Sequence, residues 1–307
     1  MDKIKIFSPA TVANISCGFD VLGLCLDTIG DEMIIRKTKE KDVRISKIVG
    51  QILPLDPDKN VAGVAVKSLL QNIEVDCGFD IEIHKNIKPG SGIGSSAASA
   101  AGAVFGVNKL LGEPFSLHEL IAFAMEGEKL ASSALHADNV APALLGGFTL
   151  IRSYNPLEVI KINAPKELFV TVIHPQIEIK TSEARAVLPK NMSLQKNITQ
   201  LGNLGGLISG LYTENYDLIG RSLHDEIAEP YRSALIPNFD TVKENVQKVG
   251  ALGSGISGSG PSIFALSKGK ETAEKVAKAM AKVYKNTNID FDVHVSKVNS
   301  EGIKILE

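Results

Sequence analysis

The chain has 307 residues, 44% of them hydrophobic and 22% charged, with a formal net charge of -2. That length exceeds the about 100–200 residues of one ordinary domain, so two domains, or one large one with a substantial core, are expected. Near-neutral charge, with no basic block and no aromatic-plus-arginine cluster, gives no support to a nucleic-acid surface and favours a small-molecule partner.

In chain order, MDKIKIFSPA at the start lacks the apolar stretch and cleavage pattern of a secretory signal. No apolar run approaches the about 18 residues of a membrane span, so a cytosolic protein with no membrane contact is expected. KIKIF at 3–7 and EMIIR at 32–36 carry strand-like β-branched enrichment. VAGVAVKSLLQNI at 61–73 has helical spacing, and FDIEIHKNI at 79–87 again reads as a strand. Cys17, Cys25 and Cys77 are odd in number and never spaced CxxC, so reduced thiols are expected rather than a disulfide frame or zinc site. CGFD occurs at 17–20 and 77–80, but the flanks differ and chance explains it better than a repeat.

PGSGIGSSAAS follows at 89–99. Ser95 or Ser96 is expected to cap a helix running to about Leu111, with Ala97, Ala101, Val104, Phe105 and Asn108 on one face. Ser116 and Glu119 form a capping box for the next helix, expected to reach about Ser133. GFTLI at 147–151 is a strand, and the junction between two domains, 1–155 and 156–307, is expected at SYNPLEV. Beyond it come a strand at 168–175, a short helix at 181–189 stopped by Pro189, helical patterns at 193–228 and 239–249, and the strand PSIFALSKG. A helix at 270–285 and the strands FDVHVSKV and GIKIL complete the series. Strands and helices mixed in this way favour an α+β fold over a doubly wound sheet.

A strand, then Gly90, Gly92 and Gly94, then a helix start can form a phosphate cradle, because main-chain N–H groups and the helix dipole face the same charge. Such a loop can also be only a turn. A Walker A loop is excluded, since Ser95 and Ser96 follow Gly94 where lysine is required. Gly253, Gly255 and Gly258 match a dinucleotide fingerprint formally, but Pro261 and a strand follow instead of a helix. His118 and Glu119 begin an HExxH zinc pattern that fails at Ala122. Glu128 shares a helix face with Leu117, Ile121, Ala124 and Met125, while Glu126 points away beside Glu119. A carboxylate on an apolar face is costly unless paired or bound to a cation, the alternative being a side chain that reaches past Ala124 to solvent.

SPATVANISCGFDVLG at 8–23, PGSGIGSSAAS, and GSGISGSGPSIFAL at 253–266 together resemble the three blocks of the GHMP kinases over nearly the whole chain. Asn14 with Gly18, Phe19 and Asp20, HADNVAPALLGG at 136–147 and EPYR at 229–232 are similar to the homoserine kinase family within that group. Two departures are Ile93 in place of the usual leucine and Pro89 one residue closer to the glycines. The resemblance implies a ribosomal S5 domain 2-like N-terminal domain, a ferredoxin-like C-terminal domain, a homodimer, and ATP-dependent phosphorylation of the side-chain hydroxyl of L-homoserine.

It also implies roles by position. ATP would be bound by 88–97, that is Lys88, Pro89, Gly90, Ser91, Gly92, Ile93, Gly94, Ser95, Ser96 and Ala97, with Asn60 a weaker candidate. Ser96 and Glu128 would hold Mg2+. Arg185, one turn after Thr181, and Arg232 would clamp the substrate carboxylate, for which the planar guanidinium fork is suited. Asp20 with Asn14 would receive the ammonium, and Asn139 with His136 would lie near the reacting hydroxyl. The competing readings are solvated arginines, a structural histidine, and Asp138 or Asn139 as caps for the helix containing Pro142. Thr11 stands where mevalonate kinase and galactokinase carry a lysine, so no Lys–Asp base pair is expected. Alignment and electrostatic stabilisation would then supply the rate, with a phosphoryl oxygen taking the hydroxyl proton. The block at 253–260 is expected to be a tight loop beside the site. Another small-molecule kinase of the group and a catalytically silent relative are the alternatives.

Overall fold

The computed structural model describes every residue except 133 and 134. Its strands are β1 (Lys3–Ala13), β2 (Leu22–Thr38), β3 (Val43–Val49), β4 (Gly78–His84), β5 (Phe148–Tyr154), β6 (Leu157–Ile162), β7 (Leu168–Pro175), β8 (Gly253–Ile256), β9 (Ile263–Lys268), β10 (Phe291–Lys297) and β11 (Lys304–Ile305). Its helices are α1 (Val61–Leu70), α2 (Ser95–Leu110), α3 (Leu117–Ser132), α4 (Val140–Leu145), α5 (Thr181–Ala186), α6 (Leu194–Tyr212), α7 (Tyr216–Ser222), α8 (Glu229–Arg232), α9 (Phe239–Lys248) and α10 (Lys270–Tyr284).

The first sheet runs β11-β1-β2-β4-β3, with β5 on the far part of β2 and β6 on β5. The long β2 serves two neighbours because residues 32–38 pair with β4 while 22–24 pair with β5. Ile4, Ile6, Met33, Ile35, Phe79 and Ile81 present one face of this sheet to helices α1 to α4. Nearly all of α2 is buried, which its alanines and glycines permit: a Cβ on Gly102 would stand 2.5 Å from Met33 Sδ. Close approach of this helix to the sheet fixes where its N-terminus lies.

The second sheet is antiparallel with order β10-β7-β9-β8, the ferredoxin-like arrangement of a split βαβ unit. Val242, Val246, Val276 and Met280 of α9 and α10 cover one face. Leu22, Leu24 and Phe148 of the first sheet meet Val170, Phe264 and Leu266 of the second and Leu207 and Leu211 of α6 in a shared core. The α+β expectation therefore holds, and the alternating apolar residues of β1, β2, β4 and β7 are what build it.

Several local expectations change. The N-cap of α2 is Gly94 in the left-handed region, not Ser95 or Ser96; the Ser95 hydroxyl instead donates to the Ile87 carbonyl at 2.8 Å. Glycine wins because the loop enters with positive φ, which a serine resists. The junction expected at 155/156 falls in the turn of the β5–β6 hairpin, both of whose strands lie in the first sheet, so the chain passes between sheets after Ile162. Polar turn residues there mimic a linker. The C-terminal strand β11 also returns to β1. The capping box of α3 is present, with Ser116 Oγ and Glu119 exchanging bonds of 2.7 and 3.3 Å, while the expected helix end at Ser133 lies outside the described residues. In the third glycine block, Gly253–Ile256 is strand β8 and only 257–260 turns. All three cysteines are free thiols, Cys17 and Cys25 being buried.

Candidate active site

The glycine loop between β4 and α2 is shaped by what holds its carbonyls. Ser262 donates its hydroxyl to the Ser91 carbonyl at 2.6 Å, Ser257 donates its hydroxyl to Gly92 at 2.7 Å, and the Thr11 amide donates to Ile93 at 3.2 Å. In a trans peptide the N–H points opposite to the carbonyl before it. The amides of Gly92, Ile93 and Gly94 are thereby turned away from those partners, and Gly92 and Gly94 line a cleft of about 520 Å³. Positive φ at Gly90, Gly92 and Gly94, between 70° and 80°, produces this succession. Together with the free amides of the first turn of α2, it makes an anion cradle.

Ser96 and Glu128 face each other across the same cleft from α2 and α3, with a hydrogen bond between them. Burial pushes the Glu128 carboxyl up to about 7, against the lowering influence of the Ser96 hydroxyl and of Lys85. Lys85, on the chain just after β4, sends its ammonium under the loop to Asp31, to the Ser95 carbonyl at 2.8 Å and to Ser99 Oγ at 3.1 Å. Asp31 also accepts the amides of Asn86 and Ile87, each at 2.9 Å. This buried pair ties β2, β4 and α2 together at the loop, and burial holds the lysine below its ordinary pKa despite Asp31.

A second polar group in the cleft gathers Asp20, His136, Arg185, Arg232 and Thr181. Arg185 Nη2 donates to both Asp20 carboxylate oxygens at 2.9 and 3.0 Å and lies 3.1 Å from His136 Nε2. His136 is held below its usual pKa, first by burial, with Arg185 adding to the effect and Asp20 opposing it. Arg232 is buried at 3% exposure, held by the carbonyls of Ala184 at 2.8 Å and Gly258 at 3.0 Å. The Arg185 and Arg232 guanidinium groups stand 5.6 and 5.2 Å from the centre of the Phe19 ring, so the arginines share one aromatic ring.

Asn139 starts α4 but makes no side-chain cap; its Oδ1 accepts the Thr11 hydroxyl at 2.7 Å beside Gly94. Asp138 is also in the cleft, its carboxyl pushed up to about 7 by burial and by the Asp20 and Glu128 charges. Asn14 Nδ2 donates to the Gly258 carbonyl at 2.8 Å and its Oδ1 accepts the Asp20 amide at 2.9 Å. Its amide thus shapes the turn that carries Asp20. Asn60 likewise caps α1 and donates to the Pro54 carbonyl, leaving the apolar cleft wall to Leu53, Pro54, Val61 and Ile83.

Most of the expected residues therefore come together. Three of the expected nucleotide contacts have side chains elsewhere: Lys88 reaches Gln176 at 2.9 Å, Ile93 is packed in the inter-sheet core, and Ala97 in the first-sheet core. Alternation decides this, since loop residues flanking the glycines must also anchor the loop. Lys85, Asp31 and Ser99 escaped the sequence reading, while Thr11 was expected only as the replacement for a lysine and Asp138 only as a helix cap. The lysine just before KPGSG was the available signal for Lys85, whereas Asp31 is 54 residues away and only the pairing of β2 with β4 brings it there. Among the described residues no group of three or more His, Cys, Asp or Glu side chains could hold a metal by itself.

Residues 60–147 match the GHMP kinases N terminal domain, and residues 197–286 match the GHMP kinases C terminal domain. Homoserine kinase of Chlorobium phaeobacteroides is 48% identical over 320 aligned positions, covering 100% of each chain. Homoserine kinase of Methanococcus vannielii is 39% identical, covering 92% of this chain and 94% of that one. The crystal structure of homoserine kinase from Cytophaga hutchinsonii superposes with a TM-score of 0.96 at 50% identity, covering 100% of this chain and 98% of that chain. With the cradle, the Ser96–Glu128 pair and the arginine cluster in one cleft, the chain belongs to the GHMP kinases and, within them, to the homoserine kinase family.

Proposed function

We propose that the protein transfers the γ-phosphoryl group of ATP to the side-chain hydroxyl of L-homoserine, giving O-phospho-L-homoserine and ADP on the route to threonine. The observation that carries this is the sharing of one cleft by the loop amides and by the Asp20, Arg185 and Arg232 cluster. The amides of 90–97 cradle the polyphosphate, and Leu53, Pro54, Val61 and Ile83 offer an apolar wall for the base. Arg185 and Arg232 hold the amino-acid carboxylate, with Thr181 beside them, and Asp20 takes the ammonium. Asn139, oriented by Thr11, lies with His136 toward the acceptor hydroxyl.

The donor set at Ser96 and Glu128 fits magnesium rather than a closed protein cage. One hydroxyl and one carboxylate are the hard oxygen donors that this ion accepts while keeping waters and substrate phosphates as its other ligands. When bound, Mg2+ would neutralise charge on the β- and γ-phosphates. Lys85 keeps the first turn of α2 in place through the Ser95 carbonyl and Ser99. With no lysine at Thr11 to activate a base, alignment and charge stabilisation carry the rate, and the departing hydroxyl proton passes to a phosphoryl oxygen.

No helix among the described residues is long and apolar enough to cross a membrane, and a cytosolic location with small-molecule partners and a homodimeric assembly completes this reading. ADP release measured with homoserine, serine, threonine, mevalonate, shikimate and galactose tests it. Homoserine should be preferred by at least about 100-fold in kcat/KM, about 2.7 kcal/mol. Activity on mevalonate alone, or ADP release with none of the six, would overturn the assignment.

A further inference from the structure

Helix α6 has two apolar faces. Leu207 and Leu211 enter the core shared by the two sheets. On the other side Leu194, Ile198, Leu201 and Tyr212 are 74%, 55%, 59% and 62% exposed. At about 100° per residue these four and Gly205 fall within about 60° of one line along the helix. Gly202 and Gly205 border it with no atom within 4 Å of where a Cβ would stand. The only charged residue of α6 is Lys196, which turns off this line to lie 6.0 Å from the Tyr231 ring. A 19-residue helix thus carries an uncharged, ridged and grooved stripe open to solvent.

The pattern of that stripe suits a second copy of the same helix. If a second α6 lies antiparallel, with a two-fold axis near residue 203, Leu194 meets Tyr212 and Leu201 meets Gly205, each contact occurring twice. Leu201 is then a knob opposite a hole that the glycine leaves open. Such agreement under reversal is what an isologous interface requires. A membrane surface is disfavoured because interfacial helices carry lysine and arginine on the polar face, whereas α6 has one lysine. The four large side chains expose on the order of 500 Å² per copy, so two copies cover about 1,000 Å², the threshold of a specific interface.

We infer that the exposed stripe of α6 is the homodimer interface, formed by antiparallel packing of α6 on α6 of a second copy around Gly205. The inference deepens the reading of the chain as a homodimer and is independent of its catalytic assignment. Sedimentation velocity of the full chain between about 1 and 100 μM should show a dimer. Leu201→Glu and, separately, Gly205→Leu, which fills the hole without touching the core, should weaken association at least about 100-fold. ADP release per chain and far-UV circular dichroism should stay at the wild-type level in both. In a Cys77→Ser background, Leu194→Cys and Tyr212→Cys proteins should form an oxidised cross-chain dimer when mixed and little when kept apart. A wild-type chain that stays monomeric over this range, whether or not the stripe binds anything else, overturns the homodimer itself. A dimer that survives both substitutions, or lacks the mixed cross-link, overturns its placement on α6.

Discussion

Arg185 Nη2 lies 2.9 and 3.0 Å from the two carboxylate oxygens of Asp20, so the side chains proposed to receive opposite ends of an amino acid hold each other. Their side chains are 41% and 27% exposed, and a pair in that setting is a weak one, easily exchanged for ligand charges. An incoming carboxylate can take the guanidinium while the ammonium takes Asp20. Asp20→Asn and Arg185→Ala should each raise KM for homoserine at least about 10-fold and leave KM for ATP within about two-fold. The double variant should lose less than the product of the two, because each single change also strands its partner. Steady-state kinetics with each substrate varied will measure this.

Glu128 and His136 should separate sharply. Glu128→Gln removes the charged donor proposed for magnesium and is expected to lower kcat by at least about 1,000-fold. His136→Ala, which removes a neighbour of Arg185, should lower kcat/KM only about 10-fold. Comparable losses in the two would contradict the proposed mechanism.

Gly94→Ala tests the loop. Its φ is 70°, and a Cβ there would stand 2.0 Å from Thr11 Oγ1. Relief requires Thr11 to leave Asn139 or the loop to shift, at a cost of about 1–3 kcal/mol. Nucleotide affinity by calorimetry should fall at least about 10-fold, and the Thr11→Ser variant, which keeps the hydroxyl, should stay near wild type.

Lys85→Met should be among the most damaging substitutions outside the apolar core. It leaves the buried Asp31 carboxylate without its cation, although two amides still donate to it. Loss of one partner of such a pair costs about 3–5 kcal/mol, readable from urea unfolding midpoints. Lys85→Met with Asp31→Asn should recover part of that loss, because no stranded charge remains.

Asp138 contributes a pH dependence with a definite sign. Burial raises its folded pKa from 3.8 to about 7, so the folded state binds more protons than the unfolded state between those values. Its contribution is fully favourable below the unfolded pKa and is lost as pH rises through about 7, an effect on the order of 4 kcal/mol. Glu128, also raised to about 7, acts in the same sense, whereas His174, pushed down to about 4, opposes both below its ordinary pKa. The difference between wild type and Asp138→Asn removes the contribution of His174, while Glu128, whose charge acts on Asp138, is relieved in the variant and adds to the difference in the same sense. Urea unfolding should show the variant gaining relative stability from pH 5 to about pH 7 and levelling off by pH 8; a constant difference would show that Asp138 is not desolvated.

What the sequence determined by itself was everything encoded within a few residues. The period of KIKIF and EMIIR, the Ser116 capping box and the glycines at 90, 92 and 94 are local, since strand alternation, helix caps and positive φ depend on near neighbours. The resemblance of its motifs to those of the homoserine kinase family, not spacing alone, was what gathered Asp20, Glu128, Asn139, Arg185 and Arg232 as candidates before any fold was known, and all five line the cleft. Only the tertiary structure decided which atoms those residues touch. Strand pairing buried Asp31 against Lys85, turned the Ser91 and Gly92 carbonyls toward Ser262 and Ser257, and sent Lys88 and Ile93 away from the cleft. It also left one face of α6 uncovered, which no periodicity could show because α6 is apolar on both sides. The reason is that burial and hydrogen-bond partnership are properties of pairs far apart in the chain, and the energy that selects them appears only when the sheets close on each other.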